Sequence, residues 1–203
     1  MSDEHLLPRT LEYRARREKE LRELQEFLKN LPAGEYVLEL GCGHGHFLTA
    51  LAQKYVNEKR GLHFWAVDKN RERIERAQKK TQRAGLDVHW LNATVEDVFE
   101  NWPAQVRVAE VFVLFPDPWP KSKHHKHRFV NEGLLNALVK KMTPQGRFYF
   151  RTDNEAYFEE GRALLQAHPQ WEIDPHAPWP EGLPATVFEG HHPTYQSVIA
   201  RVI

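Results

Sequence analysis

The chain has 203 residues, of which 41% are hydrophobic, 28% are charged and one is cysteine; this excludes a largely disordered chain and an intramolecular disulfide framework. No apolar run approaches the ~20 residues that span a bilayer, and Met1–His5 lacks the basic and apolar regions of a secretion signal, so a cytoplasmic protein without membrane contact is expected. Lysine plus arginine and aspartate plus glutamate are each 28, a formal net charge of zero. The segments are less even: Lys69–Arg83 carries seven bases and two acids, Lys121–Arg128 four bases, three histidines and no acid, and Asp153–Glu189 eight acids and one base. Such asymmetry is what one surface facing a polyanion would show.

Leu11 to Lys29 reads as a helix, with Leu21, Leu24 and Leu28 at helical spacing, ended by Pro32-Ala33-Gly34. An alternation follows. Tyr36–Leu40 reads as a strand, His46–Tyr55 as a helix, Leu62–Val67 as a strand and Asn70–Ala84 as a helix closed by Gly85. Val88–Leu91 is a third strand, with a short helix near Val95–Asn101. Val108–Phe115 is the most continuous apolar run and predicts a buried central strand. Asn131–Met142 is a helix ended by the turn Thr143–Gly146, Arg147–Arg151 a strand and Asn154–His168 a helix. Trp171–Ile173, Ala185–Phe188 and Gln196–Val202 read as strands without long helices between them. The alternation predicts an α/β fold with a mostly parallel sheet, helices on both faces and an antiparallel hairpin at the end. A single domain with an N-terminal helical extension over about residues 1–33 is expected. Ligands belong at the carboxyl ends of the strands, near the switch in strand order.

The first strand runs into Glu39-Leu40-Gly41-Cys42-Gly43-His44-Gly45. Three alternate glycines let the backbone turn tightly beside a ligand, and the following helix aims free amides at it. Asp68, 23 residues after Gly45, ends the second strand, where an acid can accept ribose hydroxyls. The spacing is G-x-G-x-G and not the G-x-G-x-x-G of dinucleotide sites. With Glu39 two residues ahead, it resembles motif I of the class I S-adenosylmethionine (SAM)-dependent methyltransferases, a Rossmann-like fold with a seven-stranded sheet. The resemblance implies SAM as cofactor, Glu39 near its methionine end, Gly41, Gly43 and Gly45 around it, and Asp68 at its ribose. Asn92 ends the third strand where relatives often carry Asp for the adenine amino group; its carbonyl can still accept that bond. Cys42 reads as a small buried filler. His44 and His46 read as surface residues.

Phe115-Pro116-Asp117-Pro118-Trp119-Pro120-Lys121 follows the fourth strand. Three prolines fix φ three times and remove three donors. The residue before each is expected to be extended. A stiff loop is expected that holds Asp117 and Trp119 in set directions. Lys123-His124-His125-Lys126-His127-Arg128 comes next, and a basic run beside a rigid acid suits an anionic polymer.

The two segments together closely resemble the signature of the bacterial tRNA (guanine-N7-)-methyltransferases, the TrmB family. Thr152-Asp153-Asn154 with Tyr157 resembles the family's T-D-N segment, and Thr186-Val187-Phe188-Glu189 its T-x-F-E. The resemblance runs from about Val37 to the end of the sequence. It implies methyl transfer from SAM to N7 of a guanine in the variable loop of tRNA, at position 46. It makes Asp117 the catalytic acid, close to the cofactor as well. Lys121, Asp153, Thr186 and Glu189 would contact the target nucleotide. Lys123, His124, His125, Lys126, His127 and Arg128 would lie along the RNA. Asn92 and Asp68, where relatives often carry Asp and Glu, depart from the pattern, and the tail after Glu189 is short.

Guanine N7 has an available lone pair, so positioning and electrostatics should outweigh general-base catalysis. Lys69, Arg73, Arg76, Lys80 and Arg83 share one helix face and would extend the RNA track. The alternatives are a methyltransferase acting on another nucleic-acid or amide nitrogen, and a non-catalytic RNA-binding protein on this scaffold. No metal is expected, since adjacent histidines among lysines make a poor zinc site. The oligomeric state stays open, with a monomer favoured.

Overall fold

The computed structural model describes residues 8–119, 121, 127–183 and 194–203. The elements run α1 (Pro8–Lys29), β1 (Gly34–Leu40), α2 (His46–Asn57), β2 (His63–Asp68), α3 (Arg71–Ala84), β3 (His89–Asn92), α4 (Val95–Glu100), β4 (Val106–Leu114), α5 (Glu132–Val139), β5 (Met142–Thr152), α6 (Glu155–Ala167), β6 (Trp171–Ile173) and β7 (Gln196–Val202). The sheet order is β3-β2-β1-β4-β5-β7-β6. The first five of these pair in parallel. β7 runs antiparallel to both β5 and β6. The chain turns back between β1 and β4, which is the switch point where the two glycine- and proline-rich loops meet the sheet.

Alternation along each strand divides the core in two. Val37, Phe64, Ala66, Phe112 and Tyr149 pack under α2 and α3. Leu38, Leu40, Trp65, Val111, Val113, Phe148 and Phe150 pack under α1, α4, α5 and α6. α1 buries Leu24 and Leu28, and Arg17 on it pairs with Asp97 at the start of α4. Three of the strand-to-helix connections, two of them short, end on an asparagine cap. Asn70, Asn131 and Asn154 each accept the backbone N–H three residues on, at the starts of α3, α5 and α6.

Two boundaries differ from the sequence pattern. α5 ends at Val139 and not at Met142, because Met142 already pairs with Val108. The predicted turn Thr143–Gly146 lies inside β5 as a bulge, where pairing jumps from Met142 to Arg147 and Gln145 takes φ 62. The predicted strand Ala185–Phe188 lies outside the described residues.

Candidate active site

The cradle at β1 and β2 is built mostly from backbone. Gly41, Gly43 and Gly45 all take positive φ (74, 53 and 67), the region that favours glycine. Their reasons differ. A Cβ on Gly45 would meet Trp90 at 2.4 Å and Ala77 at 2.7 Å, so this glycine lets α2 start against α3 and β3. A Cβ on Gly43 would meet nothing within 4 Å, and one on Gly41 only Phe129 at 4.0 Å. Those two face open space that a ligand could fill. Asp68, 7% exposed, accepts from the N–H of Gly43 at 2.9 Å and of Asn70 at 2.8 Å. It therefore ties the loop to β2, with lone pairs left on both oxygens. Asn92 donates its amide to the Asp68 carbonyl at 3.1 Å, which leaves its Oδ1 as an acceptor.

Glu39 is the most unusual group. It is 4% exposed, and its Oε2 has no hydrogen-bond partner among the described residues. Burial pushes its carboxyl up to about 8; the Leu48 N–H and Lys80 pull it down, and Asp68 pushes it further up. A buried carboxyl with one oxygen unpartnered beside an open glycine cradle is a place for a cation. Cys42 is buried between the glycines, and burial first, then Glu39 and Asp68, raise its thiol far above the ordinary range. His44 and His46 are exposed, with rings 6.4 Å apart.

At the ends of β4 and β5 the arrangement changes. The N–H of Phe115 donates to the Arg151 carbonyl at 2.8 Å, the last rung of the β4–β5 ladder. Phe115 then takes φ 49 and Trp119 φ 44. Both precede a proline, and neither has the extended backbone the sequence predicts. Phe115 must stay in the ladder while the chain turns away, and a left-handed residue does this at a cost of roughly 1–2 kcal/mol. Asp117 and Lys121 are exposed. The Trp119 ring lies half-buried against His127, with centroids 5.2 Å apart. Asp153 is exposed at the end of β5, one residue before the Asn154 cap of α6.

Arg128 corrects the sequence reading. It is 3% exposed, so its guanidinium does not lie along an RNA surface. It bonds to the Pro118 carbonyl and pairs with Glu160 of α6. His127 is exposed, as an RNA contact requires. Lys123, His124, His125 and Lys126 lie outside the described residues, as do Thr186 and Glu189. The basic stripe also needs revision. Lys69 precedes α3, Arg76 pairs with Glu72 at 2.5 Å, and the half-buried Lys80 donates to the His44 carbonyl at 2.8 Å. Arg76, Lys79, Lys80 and Arg83 nonetheless line one surface groove of about 490 Å³ beside the cradle.

Sequence reasoning passed over Arg151. Its guanidinium lies 3.6 Å from the Trp179 ring centroid and 4.5 Å from that of Tyr195, and Nε donates to Ser197 at 2.8 Å. It fixes the residues on either side of the T-x-F-E segment to the end of β5. An arginine inside a strand pattern was the available signal.

A family model described as "Putative methyltransferase" matches residues 33–190. A tRNA (guanine-N(7)-)-methyltransferase of Synechococcus sp. is 34% identical over 140 residues, 68% of this chain and 56% of that protein. The protein of the same name from Leifsonia xyli is 31% identical over 157 residues, 75% of this chain and 67% of that protein. The chain spans little more than half the length of several such relatives, 56% and 59% for two of them. Among solved structures, a SAM-dependent methyltransferase from Aquifex aeolicus superimposes with a TM-score of 0.54 at 18% identity, over 91% of this chain and 89% of that one. The N-methyltransferase NodS from Bradyrhizobium japonicum gives 0.56 at 15% identity, over 92% and 86%. These two likenesses are of fold.

Proposed function

The chain belongs to the methyltransferase family that spans its residues 33–190, and from that premise we propose that it transfers the methyl group of SAM to N7 of a guanine in the variable loop of tRNA. SAM supplies an electrophilic methyl on sulfonium when bound. The cradle fits it group by group. The unpartnered Oε2 of Glu39 suits the α-ammonium, Asp68 the ribose hydroxyls, Asn92 Oδ1 the adenine amino group, and the open sides of Gly41 and Gly43 leave room for the chain between them.

The observation that carries the target assignment is Asp117. It is an exposed carboxylate held at the switch point by a backbone that turns left-handed on both sides of it. An acid so placed accepts hydrogen bonds from the N1–H and amino group of a guanine. That orients N7 for in-line attack and stabilises the positive charge that grows on the base. No proton need leave N7. Lys121 and His127 follow Asp117 in the chain and suit the phosphates of the nucleotide, and Asp153 at the end of the adjacent β5 is a further acceptor for the base. The groove on α3 offers further backbone contacts.

The test is transfer of labelled methyl from SAM to an unmodified tRNA transcript, followed by reduction and aniline cleavage. Cleavage at the variable-loop guanine is expected. Incorporation without cleavage there would retain a SAM enzyme and remove the N7 assignment.

A further inference from the structure

Arg128 ends the basic run yet reaches inward. Its Nε donates to the Pro118 carbonyl at 2.8 Å, and its Nη1 pairs with the Glu160 carboxylate on α6. Its guanidinium carbon lies 4.8 Å from the centre of the Tyr157 ring, whose hydroxyl accepts from the Val130 N–H at 2.8 Å. The Arg128 carbonyl accepts from Asn131 Nδ2 at 2.9 Å, and Asn131 also caps α5. One residue thus links the Asp117 loop, α6 and the start of α5.

The bond to Pro118 falls at a telling place. That carbonyl belongs to the peptide leading into Trp119, one of the two left-handed residues of the loop. Pro116 and Pro118 carry no N–H, so the loop has few donors with which to hold itself. It offers carbonyls instead, and a charged donor makes the stronger bond to them. Backbone in such conformations persists where its surroundings over-determine it. Glu160 orients the guanidinium and compensates its buried charge. Glu160 sits on the helix whose N-terminus follows Asp153, so the same pair connects the two segments that flank the target nucleotide.

We propose that the Arg128–Glu160 pair is a positioning device that holds the Asp117 loop in its strained shape and in register with α6. This rests on the reading of Asp117 as the group that orients the base. Arginine is required, because its fork serves two acceptors while its plane covers a ring; a lysine ammonium does not reproduce that geometry.

The experiment compares Arg128→Lys, Glu160→Gln, Asp117→Ala and the double variant Arg128→Lys/Asp117→Ala. Each is assayed by single-turnover methyl transfer at saturating tRNA transcript and SAM, by equilibrium binding of both, and by thermal midpoint. Glu160 is 39% exposed, so its variant keeps the test open should Arg128→Lys fail to fold. Arg128→Lys and Glu160→Gln are expected to slow transfer about 10- to 100-fold, with both affinities within about twofold, the scale of a misplaced positioning group. The double variant should be no slower than Asp117→Ala. Normal transfer in Glu160→Gln and Arg128→Lys would overturn the proposal and leave Asp117 untouched. So would a loss confined to tRNA affinity, or equal slowing with and without Asp117. Normal transfer in Asp117→Ala would remove the reading of Asp117 itself, and the clamp with it.

Discussion

The two ends of the switch point hold their polar groups by different means. At β1 and β2 the backbone does the work: glycines turn the chain, Asp68 is fixed by two amides, and Glu39 is fixed by burial. At β4 and β5 buried side chains do it: Arg128 reaches the Pro118 carbonyl behind an exposed acid, and Arg151 reaches Trp179, Tyr195 and Ser197. A small ligand of constant shape suits a cradle of main chain. A base presented by a large polymer suits an exposed acid on a braced loop.

The comparison breaks first at its two acids. Asp117→Ala is expected to lower single-turnover methyl transfer by about 10²–10³, the scale of one lost electrostatic stabiliser. SAM affinity and thermal midpoint should hardly move, because Asp117 is exposed. Glu39→Gln should do the reverse, weakening SAM binding at least tenfold by equilibrium dialysis. Its pH behaviour sharpens the point. The folded carboxyl sits at about 8, above its ordinary value of 4.5. Its contribution to stability is therefore complete at pH below about 4.5 and is lost as pH rises towards about 8. Denaturation of the SAM-free protein should show that decline, and Glu39→Gln should lack it. SAM affinity should rise over the same window in the wild type, since the ammonium needs the carboxylate.

The glycines come next. Gly45→Ala forces a Cβ into Trp90 and Ala77 and should cost about 3 kcal/mol in denaturant unfolding, from strain plus overpacking. Gly43→Ala meets open space and should cost about 1 kcal/mol, for φ alone. The smallest effect is on α3: Lys79→Glu and Arg83→Glu should each lower the salt slope of tRNA binding by about 1, read by titration at several salt concentrations.

Much of the cofactor end was legible in the sequence, because its devices are local. A G-x-G-x-G after a strand and an acid at the end of the next strand sit within one βαβ unit. The parallel sheet followed from strand-length apolar runs alternating with helical ones. The target end was only half legible. The proline loop announced its stiffness, but the left-handed turn at Phe115 goes with its ladder bond to Arg151, 36 residues on, and the peptide leading into the one at Trp119 is held by Arg128. Arg128 sits in a basic run and reads as a surface cation; Glu160, 32 residues later, makes it an internal one. The end of α5 was misread because a bulge in β5 has turn chemistry while its flanks still pair with β4.

The only cysteine of the chain lies between the two open glycines of the cradle, buried and held as a thiol. Alkylating reagents consume thiolate, so Cys42 is silent while the loop is closed and reacts only during excursions that bare it. Its labelling rate is then a built-in clock for local opening at this one spot. A ligand that fills the cradle should slow the clock by the fraction of sites it occupies, with no probe attached.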